Sequence, residues 1–181
     1  MKRQPQGIDN FSYLANDTTP SFRQSSAYHE SGHATVAVLL GIAVDAVELP
    51  PEGSNIGGRF RFGIVRPDQA DAVVVVCKAG LLAELVFNPA TPRTPRRQDE
   101  MIARRATHGR LDLLFPAPRQ EYFRAAELAA LRLVGAHLPV IAALAQQLLE
   151  NGKLTGAEVT DFVRNHLSLC GATPAAETEA A

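Results

Sequence analysis

Residues 27–41 of this 181-residue chain read AYHESGHATVAVLLG, and they predict the helix that organises the fold. Either Ser25 or Ser26 is a suitable N-cap, because a serine hydroxyl accepts a hydrogen bond from the free N–H groups of a first helical turn. Gly41 is a suitable end, because glycine adopts the left-handed conformation that closes many helices. The face that this helix would bury contains His29, His33, Val36, Ala37 and Leu40.

The same helix carries the pattern HExxH, formed by His29, Glu30 and His33. Residues four positions apart lie on one side of a helix, so both imidazoles can reach one tetrahedral metal ion. Glu30 would then lie beside the open coordination position, where it can take a proton from water. The pattern therefore predicts a metal centre with a catalytic carboxylate.

A third ligand has to come from elsewhere in the chain. The extended pattern HExxHxxGxxH fails, because Val36 and Leu39 occupy the positions of its glycine and last histidine. Two acidic residues on later helices are candidates, Glu84 in GLLAELVF and Asp99 near the start of the next helix. Periodicity alone does not choose between them.

The rest of the chain predicts an α+β fold that is mainly helical. Residues 58–65, GRFRFGIV, alternate like a strand with Phe60, Phe62 and Ile64 on one side, and residues 42–49 supply an antiparallel partner. Helices are predicted at 68–88, from Thr94-Pro95 to Gly109, as two segments within 118–150 with a break near Gly135–Pro139, and from the capping box at Thr155–Glu158 to about Ser168. We expect flexible ends at 1–24 and 170–181 around one domain at 25–169.

Composition excludes several classes of protein. With 18 Lys and Arg against 19 Asp and Glu, the net charge is -1, which argues against a nucleic-acid partner. Cys77 and Cys170 form neither a disulfide framework nor a CxxC metal site. The longest apolar run, at 34–44, is well short of the ~20 residues of a membrane span, and the N-terminus does not resemble a secretory signal. We expect a cytoplasmic protein.

Four segments resemble, in the same order, the peptidase domain of FtsH-type ATP-dependent zinc proteases. They are YHESGHA at 28–34, AGLLAELVF at 79–87, RRQDEMIARRA at 96–106 and, more weakly, LTGAEVTDFV at 154–163. The similarity spans residues 25–165, and the first segment is its most specific part. It implies a zinc peptidase-like domain that hydrolyses peptide bonds in unfolded proteins or peptides.

The resemblance also implies roles for individual residues. His29, His33 and Asp99 would bind Zn²⁺, and Glu30 would be the general base. Glu84 would be a carboxylate that supports a ligand or the structure. Two alternatives remain open, a zinc-binding regulatory protein without proteolytic turnover and a zinc hydrolase of another clan with Glu84 as the third ligand.

The chain departs from the FtsH pattern in two respects. It has no GxxxxGK[ST] phosphate loop, since Gly152-Lys153 continues as Leu154, so we expect neither the ATPase module nor the membrane anchor here. The small-residue turn before the third ligand is replaced by Pro95–Gln98, within a basic cluster that extends from Arg93 to Arg110. This cluster fits either a solvated face or a surface for an acidic peptide or partner. A homo-oligomer and an ATPase partner in trans are left open.

Overall fold

A computed structural model describes residues 20–54, 56–93, 96–107 and 116–169. The helices are α1 (Phe22–Leu39), α2 (Ala70–Phe87), α3 (Arg97–Ala106), α4 (Pro116–Ala136), α5 (Leu138–Asn151) and α6 (Gly156–Leu169). The strands are β1 (Val44–Glu48), β2 (Arg59–Phe62) and β3 (Lys153–Thr155), and a 3-10 turn at Pro67–Gln69 leads into α2. The mainly helical α+β fold predicted from the sequence is confirmed.

The first helix begins earlier than its sequence suggested. Ser21 is the N-cap, because its hydroxyl accepts from the N–H of Gln24 at 3.1 Å while the Gln24 side chain accepts from the Ser21 N–H at 2.8 Å. This capping box places Ser25 and Ser26 inside the helix, where both are buried. The predicted start at Ser25 or Ser26 is therefore wrong.

The earlier start of α1 shortens the predicted flexible N-terminal segment. Residues 22–24 belong to α1 and not to a flexible segment at 1–24. Residues 1–19 and 170–181 lie outside the described ranges. At its other end α1 stops at Leu39, and Gly41 follows with a φ of +66°, so the predicted glycine stop is confirmed.

Helix α2 packs closely against α1 through small residues. A Cβ at Gly32 would lie 2.6 Å from the Cβ of Ala83 and 2.8 Å from the carbonyl oxygen of Ala79. The two backbones therefore approach so closely that only glycine fits at position 32. The valine-rich run at 73–76 is helical, as predicted, because burial in this core outweighs the strand preference of valine.

The three strands form an antiparallel sheet in the order β2-β1-β3. Val47 of β1 pairs with Phe60 of β2 on one side and with Leu154 of β3 on the other. The predicted pair is confirmed, whereas β3 was missed because three residues show no alternation. The predicted strand at 58–65 is too long: β2 ends at Phe62, and Ile64 is 88% exposed.

The remaining helices complete the core around α1. Helices α4 and α5 separate at His137, within the predicted break, and the buried face of α5 packs on α1 through Ile141, Leu144 and Leu148. Helix α6 opens with the predicted capping box, in which Thr155 and Glu158 exchange hydrogen bonds. Residues 94 and 95, where the predicted start of α3 falls, lie outside the described ranges.

Within the described residues, no single helix is long and apolar enough to cross a membrane. The pair formed by Pro118–Ala136 and Leu138–Asn151, bent by 78° at its junction, meets the same length and composition criteria only when taken together.

Candidate metal centre

Helix α1 carries both histidines of the HExxH pattern into the interior. His29 is 1% exposed and His33 is 3% exposed. Asp99, in the first turn of α3, reaches the same point from the neighbouring element. The ligand atoms of these three residues lie within 4.8 Å of one another, so the group can hold a metal ion.

The short distances within the group define its geometry. The Nε2 atoms of His29 and His33 are 3.0 Å apart. Asp99 approaches both, with Oδ2 at 3.1 Å from Nε2 of His29 and Oδ1 at 3.5 Å from Nε2 of His33. Three potential ligand atoms therefore face one point.

Each imidazole is oriented by a hydrogen bond on its far side. Nδ1 of His29 donates to Oε2 of Glu84 at 2.7 Å, and Nδ1 of His33 donates to the carbonyl oxygen of Val76 at 2.7 Å. A proton on Nδ1 leaves the lone pair on Nε2, which is the tautomer that a metal ion requires. The surrounding protein thus prepares both rings as ligands.

The two acidic candidates for the third ligand have different places. Asp99 lies among the ligand atoms, whereas Glu84 lies behind His29 and also accepts from Nη2 of Arg96 at 3.1 Å. Periodicity did not separate these residues. The packing of α2 and α3 separates them. It brings Asp99 to the potential ligand atoms and places Glu84 where a carboxylate orients His29.

In this cluster, burial and the neighbouring charges shift each pKa in opposite directions. Burial alone raises the pKa of Asp99, but the charges and hydrogen bonds of His33 and His29 outweigh it and hold that pKa well below its usual range. Burial lowers the pKa of His33, and Asp99 reverses the effect, so the net shift is upward. Burial likewise raises the pKa of Glu84, and the hydrogen bond from His29 brings it below its usual value.

Glu30 lies beside this group and is 3% exposed. Nη1 of Arg96 is 3.6 Å from its Oε1. A Cβ at Gly58, which precedes β2, would lie 2.6 Å from Cγ of Glu30, and one at Gly57 would lie 2.5 Å from Nη1 of Arg96. The glycine pair before β2 therefore makes room for the carboxylate and its cation.

A cleft of about 300 Å³ opens over the group and gives it access to solvent. His29, Glu30, His33 and Asp99 all line it. A larger cavity of about 460 Å³ has walls rich in leucine and shares only Cys77 and Asp99 with the cleft. Because that cavity contains neither histidine nor Glu30, the chemistry belongs to the smaller cleft.

Cys77 is not among the ligand atoms, although it lines the cleft. Burial, reinforced by the nearby Asp99 charge, raises the pKa of its thiol to about 12, so the thiolate that a metal ion would need is disfavoured. The histidines at 137 and 166 are not part of the group either. His166 instead bonds through Nδ1 to the carbonyl oxygen of Phe162 at 2.9 Å.

Sequence reasoning missed two features of the site. It treated Arg96 as one member of a basic cluster and assigned no role to Gly80. The small residues of AGLLA at 79–83 carry a signal for close helix packing, but Arg96 has no local signal that points to Glu30.

Comparison of the chain with protein-family models and with curated proteins finds no match. Functional assignment therefore depends on the residues and their geometry.

Gly80 of α2 lies directly against both imidazoles. A Cβ there would collide with Nε2 of His33 and would lie 2.8 Å from Cδ2 of His29. Gly80→Ala is therefore expected to abolish metal binding, even though alanine favours a helix interior by about 1 kcal/mol over glycine. Isothermal titration with Zn²⁺ measures the loss.

Gly135→Ala is the matched control for this substitution. Gly135 lies in α4, and a Cβ there would have no neighbour within 4 Å. This variant should bind Zn²⁺ as the unsubstituted protein does. Normal Zn²⁺ affinity in Gly80→Ala would show that the imidazoles do not hold the metal in the arrangement described here.

Proposed function

We propose that this protein is a zinc-dependent endopeptidase whose catalytic domain resembles that of the FtsH-type proteases. The observation that carries the proposal is the position of Glu30, a buried carboxylate in the same cleft as two histidines and one aspartate. A purely structural metal site needs no base beside it. The other three resembling segments, which follow in the same order, give further support.

Zinc is the metal that this set of ligands suits best. Two imidazole nitrogens and one carboxylate oxygen form the set of a catalytic zinc site, in which a fourth position stays open. The hydrogen bonds from His29 to Glu84 and from His33 to Val76 are of the kind that orient zinc-binding histidines. Bound zinc would supply Lewis-acid activation of water and of the scissile carbonyl.

The chain itself supplies the proton transfers. Glu30 takes the proton of the attacking water at its carboxylate and returns it to the nitrogen of the leaving amine. Glu30 is 3% exposed where it lines the cleft, and Gly58 leaves room for its side chain. Nη1 of Arg96, 3.6 Å from Oε1 of Glu30, restrains the position of this carboxylate.

The substrate is a flexible polypeptide in this proposal. Strand β2 lies at the edge of the described sheet, and its Phe60 ring is 5.7 Å from the His33 ring. An extended peptide can add to such an edge through backbone hydrogen bonds and reach the metal centre. A folded protein would not enter a cleft of about 300 Å³, so unfolded proteins and peptides are the substrates.

A zinc-binding regulatory protein without turnover is the second candidate. The ion pair between Arg96 and Glu30 favours it, because a carboxylate oxygen that is engaged by a guanidinium group is less free to hold a water molecule. Both candidate functions include bound zinc, and only the peptidase hydrolyses peptide bonds.

The deciding experiment measures bound zinc and cleavage of an unfolded protein by the same preparation. We expect zinc to copurify with the protein, cleavage without added ATP, and complete loss of cleavage after chelation with recovery when Zn²⁺ is restored. Bound zinc without cleavage would favour the regulatory protein. Cleavage that survives chelation would contradict a metal-dependent mechanism.

A further inference from the structure

The cleft over the metal centre has a cationic wall that peptide hydrolysis by itself does not require. Arg59 at the start of β2, Arg96 before α3 and Arg97 at the start of α3 all line it. They come from two separate parts of the chain that the fold brings to one opening. A single run of basic sequence therefore does not explain their proximity.

Of the three arginines in this wall, the described structure pairs only Arg96 with acidic residues. Glu30 already has Arg96 beside it, and Asp99 lies against the two histidines. Among the described residues, Arg59 and Arg97 have no carboxylate within the 4.0 Å of an ion pair, whereas Arg61 pairs with Asp45 and Arg104 with Glu100. Two exposed guanidinium groups at the rim are thus available to a ligand.

Arg96 extends this wall to the reacting centre. Its side chain is 27% exposed and contacts carboxylates through Nη1 and Nη2. A guanidinium group has five N–H donors in a planar fork, so donors remain for a further acceptor in the cleft. An anion bound there would lie next to Glu30.

We propose that the cleft recognises a carboxylate of the substrate through Arg59, Arg96 and Arg97, next to the bond that is cleaved. This inference rests on the proposed peptidase function and specifies its substrate class. The planar fork of arginine matches a carboxylate in two parallel hydrogen bonds, which makes it the side chain suited to this recognition. The carboxylate belongs either to an acidic side chain, as in the substrate of an endopeptidase, or to the C-terminus of a peptide, in which case the enzyme removes C-terminal residues.

The test uses one peptide in four forms, with Glu or Gln beside the cleavage position and with a free or an amidated C-terminus. Binding is measured with zinc-loaded Glu30→Gln protein, which holds peptide without hydrolysis, and cleavage is measured with the unsubstituted protein. We expect a preference on the order of 10-fold for one carboxylate-bearing form, as charge-assisted hydrogen bonds provide. A preference for Glu over Gln identifies a side chain, and a preference for the free acid over the amide identifies the C-terminus.

Two variants test whether the arginines of the cationic wall cause this preference. In an Arg59→Gln and Arg97→Gln double variant, the preference should fall to within about 2-fold, because the exposed donors are lost. Arg105→Gln is the matched control, since Arg105 is exposed on α3 and does not line the cleft, and it should keep the full preference. Circular dichroism confirms that each variant is folded.

Binding and cleavage separate the two proposals. Equal binding of all four peptides, or a preference that survives the double variant, would overturn carboxylate recognition whether or not the protein cleaves. Selective binding without cleavage by the unsubstituted protein would overturn the peptidase proposal and leave carboxylate recognition in place.

Discussion

Glu30→Gln is expected to abolish peptide-bond cleavage and to leave zinc binding intact. Glutamine has the shape of glutamate and can hold a water molecule by hydrogen bonding, but its amide cannot take up the proton. General acid-base catalysis contributes about 10²–10⁴-fold, so a fall in kcat of at least roughly 100-fold is expected. The measurement is the initial rate on an unfolded protein at saturating substrate.

Two controls make the result specific to the base. Zinc content, measured on the same sample, should equal that of the unsubstituted protein, because Glu30 is not among the three residues whose ligand atoms could hold a metal ion. Glu121→Gln makes the same chemical change at an exposed position of α4 and should leave the rate unaltered. Unchanged cleavage by Glu30→Gln would eliminate the proposed mechanism.

The second large effect concerns the third ligand. Asp99→Asn should lose most of the zinc affinity, because an amide oxygen replaces the anionic ligand next to both imidazoles. Glu84→Gln should lose at most about 10–100-fold, since the glutamine side-chain oxygen can still accept from Nδ1 of His29. Competition with a zinc-sensitive dye ranks the two affinities.

The order of the two losses is what decides the assignment. Both variants change one carboxylate to its amide, so each serves as the control for the other. Helical circular dichroism in the metal-free state should stay near that of the unsubstituted protein, because Asp99 is in a first helical turn where asparagine is tolerated. Normal zinc binding by Asp99→Asn together with loss in Glu84→Gln would make Glu84 the ligand.

Much of the fold follows from local sequence rules. The capping box at Thr155–Glu158, the glycine stop at Gly41 and the break between α4 and α5 are all where the sequence predicts them. Such signals act within one helical turn, so neighbouring residues suffice to interpret them. The start of α1 was misplaced because Ser21, Ser25 and Ser26 are chemically equivalent as caps.

The short strand β3 shows where local rules stop. Its three residues, KLT, have no periodicity of their own, and they form a strand because β1 offers them hydrogen-bonding partners. The end of β2 is another example: Ile64 continues the alternation in the sequence, but the described pairing with β1 ends at Phe62.

The sequence by itself determined that His29 and His33 lie on one face of a helix with Glu30 next to His29, because residues four apart on a helix share a face whatever surrounds it. Only the tertiary structure placed Asp99, and not Glu84, among the potential ligand atoms. These two residues are 70 and 55 positions away from His29 along the chain. The placement of Arg96 near Glu30 was likewise decided by the fold. These contacts depend on how closely α2 packs against α1 at Gly32 and on where α3 begins, and packing between distant segments leaves no periodic trace in either of them.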